Sequence, residues 1–210
     1  TTIAWRLNNK TTYALEGSVF IAGAVIQWLR DALQIIEHAD ETEAIASVLP
    51  DNGGVYFIPA FTGLGAPYWD MEAKGSITGL TRGTGKAHIV RAALESIAYQ
   101  VRDVFDAMQQ DADIKIQELR IDGGAAKNNW LIQFQCDILQ TPVVRNAYLE
   151  STALGIAMLA GISAQLFTAG SLPAATAQSV FYPAISRSEA NVMYNKWVKA
   201  VKQIITQHFN

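Results

Sequence analysis

Two pairs of residues carry the ligand-holding chemistry of this sequence: Gly23 with Gln27, and Gly124 with Asn128, each pair four residues apart. On a helix, that spacing puts two side chains on one face, a turn from each other. A glycine lets a ligand or a neighbouring chain lie against the main chain. A primary amide both donates and accepts hydrogen bonds, which suits the edge of a purine. Each pair also has an ordinary structural use. A helix can pack on Gly23 while Gln27 caps a buried backbone group, and Asn128 can cap the helix that follows it. Gly23 falls inside a helix predicted over 19–33, where glycine costs about 1 kcal/mol relative to alanine, so something must approach it closely.

The second pair lies in the most informative stretch, Asp122-Gly123-Gly124-Ala125-Ala126-Lys127-Asn128-Asn129, directly after the strand-like run Glu118-Leu119-Arg120-Ile121. An apolar strand ends in an acid and two glycines, and a helix is expected over 129–139. The arrangement reads either as a tight β–α turn or as a nucleotide site in which the unpaired N–H groups of the helix start face phosphate.

Acid–base and metal chemistry are not legible. His38, His88 and His208 have no metal-ligand spacing. Asp70 has no partner in sequence and reads as a turn or cap residue. Glu41-Thr42-Glu43 and Asp111-Ala112-Asp113 read as exposed acidic ends. The loop 61–70 joins Phe61, Tyr68 and Trp69 to Gly63, Gly65 and Pro67, a set that lines a pocket or staples the loop to the body.

The elements that must position these residues follow from hydrophobic period and turn residues. A hairpin is expected from 2–7 and 12–15, then the helix over 19–33 with Ser18 as its N-cap, and a short helix over 41–48. Strands follow over 55–59 and 75–80, and the longest helix over 86–111. After the strand 118–121 and the helix 129–139 come a strand at 142–145 and a helix over 152–160 ending at Gly161. Residues 164–184 read as loop with weak helix, and a terminal helix is expected over 188–207. Helices interleaved with short strands make the chain α/β, with helices on at least one face of a mixed sheet.

Bulk composition bounds the function. The 210 residues are half hydrophobic and 17% charged, with net charge −3 and no basic stripe, which argues against a nucleic-acid partner. No apolar run reaches the roughly 18 residues of a membrane span. The single cysteine, Cys136, excludes an internal disulfide, reads as an inert core thiol and fits a reducing, cytoplasmic setting. The strand-like run at the first residues carries the expectation that the chain is a piece of a larger protein.

The run Gly75-Ser76-Ile77-Thr78-Gly79-Leu80, followed after seven residues by His88-Ile89-Val90-Arg91-Ala92-Ala93-Leu94-Glu95, resembles a signature of the FGGY carbohydrate kinases at every constrained position. Tyr13-Ala14-Leu15-Glu16-Gly17-Ser18, residues 59–70 and Asp122-Gly123-Gly124 are similar to the glycerol-using branch of that family. The resemblance covers nearly the whole chain and thins after Gly161.

It implies an actin-like, ribonuclease-H-like ATPase domain over 1–210: the nucleotide-binding half of a kinase that moves the ATP γ-phosphoryl group to a terminal hydroxyl of glycerol, with Mg²⁺. Gly23, Gln27, Gly124 and Asn128 match the family's nucleotide contacts, with Ser18, Asp122 and Gly123 as supporting positions. No catalytic or metal residue is implied here, because the family's general base, polyol contacts and first phosphate loops precede Thr1. The fragment alone is therefore expected to be catalytically silent, and the full-length enzyme to be a cytoplasmic homo-oligomer. Two other readings stay open: a pentulose or other polyol kinase of the family, and an actin-like chaperone or filament subunit. The strand–Gly–Gly–helix element serves all three.

Overall fold

A computed structural model describes residues 1–7, 9–148, 150–168 and 177–206. The chain opens with the strands β1 (Thr2–Leu7) and β2 (Lys10–Ala14), then the helices α1 (Gly23–Asp31) and α2 (Glu41–Ser47). Short strands β3 (Tyr56–Ile58) and β4 (Ser76–Thr78) lead into the long helix α3 (Lys86–Ala112). Strand β5 (Leu119–Ile121), a 3-10 turn (Gly124–Lys127), helix α4 (Asn129–Leu139) and strand β6 (Val143–Asn146) follow. Helix α5 (Ser151–Ser163), strand β7 (Ala177–Phe181) and helix α6 (Arg187–Lys202) complete the order.

The strands form three small sheets. β1 and β2 make an antiparallel hairpin, and β3 pairs antiparallel with β4, Tyr56 lying opposite Thr78. The third sheet is mixed, in the order β5-β6-β7, with β5 parallel and β7 antiparallel to the central strand. A parallel pair needs a crossover, and the 3-10 turn with α4 supplies it. Gly79 ends β4 at φ +76, and a Cβ there would sit 2.0 Å from the carbonyl oxygen of Gly54. Only glycine lets these two main-chain segments pass.

The core is built around α3. From Val90 to Tyr99 every residue of this helix is buried, the pattern of a helix covered on all sides. Leu94 and Ile97 pack in one cluster with Leu131 and Ile138 of α4 and with Val25 and Leu29 of α1. The two charged residues within that span, Arg91 and Glu95, are buried because they are paired. The Arg91 Nε donates to Glu95 Oε1 at 2.9 Å, and Asn52 Nδ2 donates to Glu95 Oε2 at 2.7 Å. The same guanidinium donates to the carbonyls of Ala46 and Leu49, so α3 also fastens the end of α2.

Further along α3, the buried Asp103 accepts hydrogen bonds from the Tyr68 hydroxyl, the Tyr194 hydroxyl and Trp197 Nε1, joining the 61–70 loop and α6 to the core. Burial outweighs these three donors and raises its carboxyl to about 6. A folded-state value above the unfolded one stabilises at low pH, and the contribution is lost as pH rises through the folded value. The difference in unfolding free energy between the native protein and Asp103→Asn is therefore expected to shrink between about pH 4 and pH 6, by about 3 kcal/mol. Urea unfolding of both proteins across that window checks it; a pH-independent difference contradicts it.

Asp70, also fully buried, accepts from the N–H groups of Glu72 and Ala73 and from both the N–H and hydroxyl of Thr206. The Thr206 N–H, ahead of its hydroxyl and the turn amides, holds this carboxyl below the usual carboxylate range. It closes a turn and anchors the far end of the chain. Cys136 is buried, and its thiol, pushed up to about 11 by burial, donates to the carbonyl of Phe181.

Several boundaries differ from the sequence reading. The first helix starts at Gly23 with Ala22 as its N-cap, so Ser18 caps nothing and Gly23 is not a helix-interior glycine. The interior penalty assigned to it does not arise. α5 runs through Gly161 to Ser163, and a Cβ on Gly161 would meet the Phe167 ring at 2.3 Å. The stretch 164–184, read as loop, contains β7; alternation across an edge strand of small polar residues leaves little hydrophobic signal. The terminal helix spans Arg187–Lys202 rather than 188–207, capped by Ser186 and Glu189 as a capping box. On its inner face Trp197 and Val201 are buried, whereas Val192 is 52% exposed. His208 and Gln207 lie outside the described residues.

Candidate functional site

A cleft of about 560 Å³ opens between α1, α2 and the 3-10 turn, and Gly23, Gln27, Gly124 and Asn128 all line it. Residues distant in sequence are brought together because α1 and α4 both pack on α3, which sets the double-glycine turn across the cleft from α1. The floor is apolar: Ile26, Leu94, Ile97 and Leu131 are each at most 8% exposed and line the cleft. Its rim is polar, with Arg30, His38, Asp40, Glu43 and Lys127. An apolar floor with polar groups at the edge is the usual make-up of a small-molecule site.

The glycines leave the space open. A Cβ built on Gly23 or on Gly124 meets no atom within 4 Å, so no packing partner explains either residue. Gly123, at φ +81, turns the chain out of β5 in a conformation other residues rarely adopt. The Gln27 side chain is exposed to the cleft and makes no hydrogen bond to a described residue.

Asn128 serves as a helix cap as well as a wall of the cleft. Its Oδ1 accepts from the Leu131 N–H at 2.9 Å, and its Nδ2 donates to Thr42 Oγ1 at 3.1 Å. That leaves one N–H and one lone pair of the amide for a ligand. The next residue is held as firmly: Glu43 accepts from the Asn129 N–H at 2.9 Å and Nδ2 at 3.0 Å, while Arg145 Nη2 donates to Asn129 Oδ1 at 2.7 Å.

These contacts correct one expectation. Of the two readings of this turn, the one in which the first N–H groups of α4 are unpaired and face phosphate does not fit, because Glu43 and Asn128 occupy two of them and the Glu43 carboxylate repels an anion there. The 3-10 turn, which begins at Gly124, stands between Gly123 and α4, and of the two glycines Gly124 lines the cleft. Ser18 lies elsewhere, beside Tyr68 and Asp103. Thr42 and Glu43, read as an exposed acidic end, are contacts of the cleft wall, and Thr42 is 1% exposed. Helical spacing carries a signal for Thr42: Ile45 and Ala46, three and four residues on, share its face of α2, and both pack on the core.

A second cleft, of about 610 Å³, lies on the other side of α3, lined by Arg91, Glu95 and Trp130, and holds none of the expected site residues. Arg91 sits 5.0 Å from the centroid of the Trp130 ring and completes a buried structural pair there.

With the fold and cleft in place, comparison with known proteins defines the class. The chain belongs to the FGGY family of carbohydrate kinases, matching its C-terminal domain over residues 4–164. It is 56% identical over 205 residues to glycerol kinase 2 of Thermotoga maritima, covering 97% of this chain and 41% of that protein. It is 64% identical over 167 residues to glycerol kinase of Herminiimonas arsenicoxydans, covering 78% and 34% respectively. The chain thus spans about two fifths of the length of these relatives.

Among solved structures, it is similar to Plasmodium falciparum glycerol kinase with ADP, at TM-score 0.86 and 36% identity over 96% of this chain and 40% of that one. Ligand-bound xylulose kinase from Lactobacillus acidophilus gives TM-score 0.73 and 25% identity, over 88% and 38%. These neighbours give the domain the actin-like ATPase fold, a mixed sheet flanked by helices. No helix among the described residues is long and apolar enough to cross a membrane.

Proposed function

We propose that the chain, residues 1–210, is the C-terminal, nucleotide-holding domain of a kinase that phosphorylates glycerol with ATP to give glycerol 3-phosphate. The observation that carries this reading is the convergence of Gly23, Gln27, Gly124 and Asn128 on one cleft with an apolar floor. The cleft occurs in a chain 56% identical to a relative named glycerol kinase, and 36% identical to a structure described with ADP. In this reading the adenine lies over Ile26 and Leu131, the two glycines admit the nucleoside against the main chain, and the amides of Gln27 and Asn128 engage its polar edge.

Phosphoryl transfer rests on positioning and charge stabilisation, with a carboxylate orienting the attacking hydroxyl. This chain supplies the nucleotide side. The acceptor site and base belong to the remainder of the longer protein, so the chain alone is expected to leave glycerol unphosphorylated. Mg²⁺ would neutralise charge on the phosphates; it is commonly held by phosphates, waters and one or two carboxylates, and no residue here is assigned to it. The reading includes a homo-oligomeric, cytoplasmic enzyme, the latter supported by the buried thiol of the single cysteine.

The test is a coupled assay on the intact kinase carrying this domain, with ATP and glycerol, xylulose or gluconate as acceptor. Glycerol is expected to have the highest kcat/KM by at least about tenfold, a difference of about 1.4 kcal/mol in transition-state binding. A preference for xylulose or gluconate moves the chain to another branch of the family. Nucleotide-driven assembly without phosphorylation of any acceptor points instead to a filament-type ATPase.

A further inference from the structure

We infer that Thr42 is a positioning residue for the nucleotide, acting through Asn128; the inference rests on the nucleotide reading of the cleft. Thr42 comes from α2, 86 residues before Asn128 in sequence, and is 1% exposed. A hydroxyl has one proton. That proton is committed, because Thr42 Oγ1 donates to the carbonyl of Ala39 at 2.6 Å. Toward Asn128 the oxygen can therefore only accept, and the group facing it must be the amide NH₂. The other end of the amide meets the Leu131 N–H, a donor, which demands the carbonyl oxygen there.

The two contacts together set the orientation of the amide. Turned over, it would place Oδ1 against the lone pairs of Thr42 and its NH₂ against the Leu131 N–H. The free N–H and the free lone pair that Asn128 presents to the cleft thus have fixed positions, which is what reading one edge of a purine requires. Without Thr42, capping by Oδ1 survives, while the NH₂ loses its anchor and the amide plane can tilt about the remaining Oδ1 contact, moving its free N–H out of line with the ligand.

α2 is itself held so that Thr42 cannot drift. Arg91 grips the carbonyls of Ala46 and Leu49 at one end, and Glu43 grips the start of α4 at the other. The short helix works as a bracket between α3 and α4, and Thr42 is its contact with the ligand-facing amide.

The test uses the intact kinase, measuring ATP affinity by calorimetric titration and steady-state kinetics for Thr42→Val, Thr42→Ser and each combined with Asn128→Ala. Thr42→Val is expected to weaken ATP binding and raise the KM for ATP about threefold to tenfold, the range of one lost hydrogen bond. The KM for the acceptor and kcat at saturating ATP should stay within about twofold, and Thr42→Ser should restore binding, since it keeps the hydroxyl. In the Asn128→Ala background, Thr42→Val should cause no additional loss. Equal losses in both backgrounds, or unchanged affinity in a folded Thr42→Val protein, overturn the inference. Thr42→Ala, which removes the hydroxyl without a branched methyl beside Ala39, gives the same readout if valine unfolds the helix. Failure of the unmodified kinase to bind ATP would instead refute the nucleotide reading itself.

Discussion

Replacing Glu95 by alanine is expected to destabilise the domain by roughly 3–5 kcal/mol, the cost of breaking a buried ion pair from one side. Glu95 is 1% exposed, and its two oxygens are taken by Arg91 and Asn52. Its removal leaves a guanidinium buried beside Trp130 with no counter-charge, and an amide donor with no acceptor. The effect spreads to α2, because the same guanidinium holds the carbonyls of Ala46 and Leu49.

Burial nevertheless raises the Glu95 carboxyl above its ordinary value, against the pull of Arg91. By linkage, this group's contribution is largest at acid pH and is lost as pH rises through its folded value. The pair is thus costly to break from one side without being a source of net stability once pH exceeds that folded value. The double variant Arg91→Met with Glu95→Leu should recover part of the loss seen in Glu95→Ala. Urea midpoints of the two variants and the native protein decide the matter. A loss below about 1 kcal/mol in Glu95→Ala, the range of exposed pairs, removes the argument.

Gly124→Val should separate binding from stability. A Cβ at this position meets nothing within 4 Å, and the residue is not among the positive-φ glycines, so the backbone accepts a side chain. The branched methyls would stand in the cleft where the nucleoside is proposed to lie. ATP affinity of the intact kinase is expected to fall at least about tenfold, or about 1.4 kcal/mol. The thermal midpoint should move by no more than about 2–4 °C, the shift of roughly 1 kcal/mol in a chain of this size. Unchanged ATP affinity would take the glycine turn out of the site. A large drop in midpoint would show that the turn, not the ligand, requires glycine.

The signature 75–95 was the most legible part of the sequence, and the structure explains its residue choice. Gly79 is the one residue that lets β4 pass the main chain at Gly54, and Arg91 with Glu95 forms the buried pair of α3. These are architectural requirements, so the signature identifies the family while lying mostly on the far side of α3 from the cleft that Gly23, Gln27, Gly124 and Asn128 line. Gly23, Gln27, Gly124 and Asn128 were legible as two local pairs, because four-residue spacing is a local property. Their meeting in one cleft was not, since it depends on α1 and α4 both packing against α3.

Thr42 and Glu43 were missed for the same reason. Their partners lie 86 residues away, and two polar residues at a helix start look like solvated surface until α4 is placed against them. The first helix begins four residues later than its apolar run predicts, because Val19, Phe20 and Ile21 continue that run ahead of Gly23. In the structure that run is irregular, and Gln100 Nε2 donates to the carbonyl of Ile21. β7 is not legible because Ala177-Gln178-Ser179-Val180-Phe181 has few large residues and, among the described strands, pairs with β6 alone.

The anchoring of Asp70 by Thr206 bears on the order in which the protein assembles. Its two partners are 136 residues apart, and closing a loop of that length costs about 4 kcal/mol in chain entropy before any contact forms. The α3–α4 pair and the β5–β6 unit form over far shorter separations and can precede it. Asp103 repeats the pattern, since two of its donors lie on α6. The aromatic loop 61–70, though it precedes α3 in sequence, therefore takes its final form only after α6 has docked: an early segment whose completion waits on the last helix.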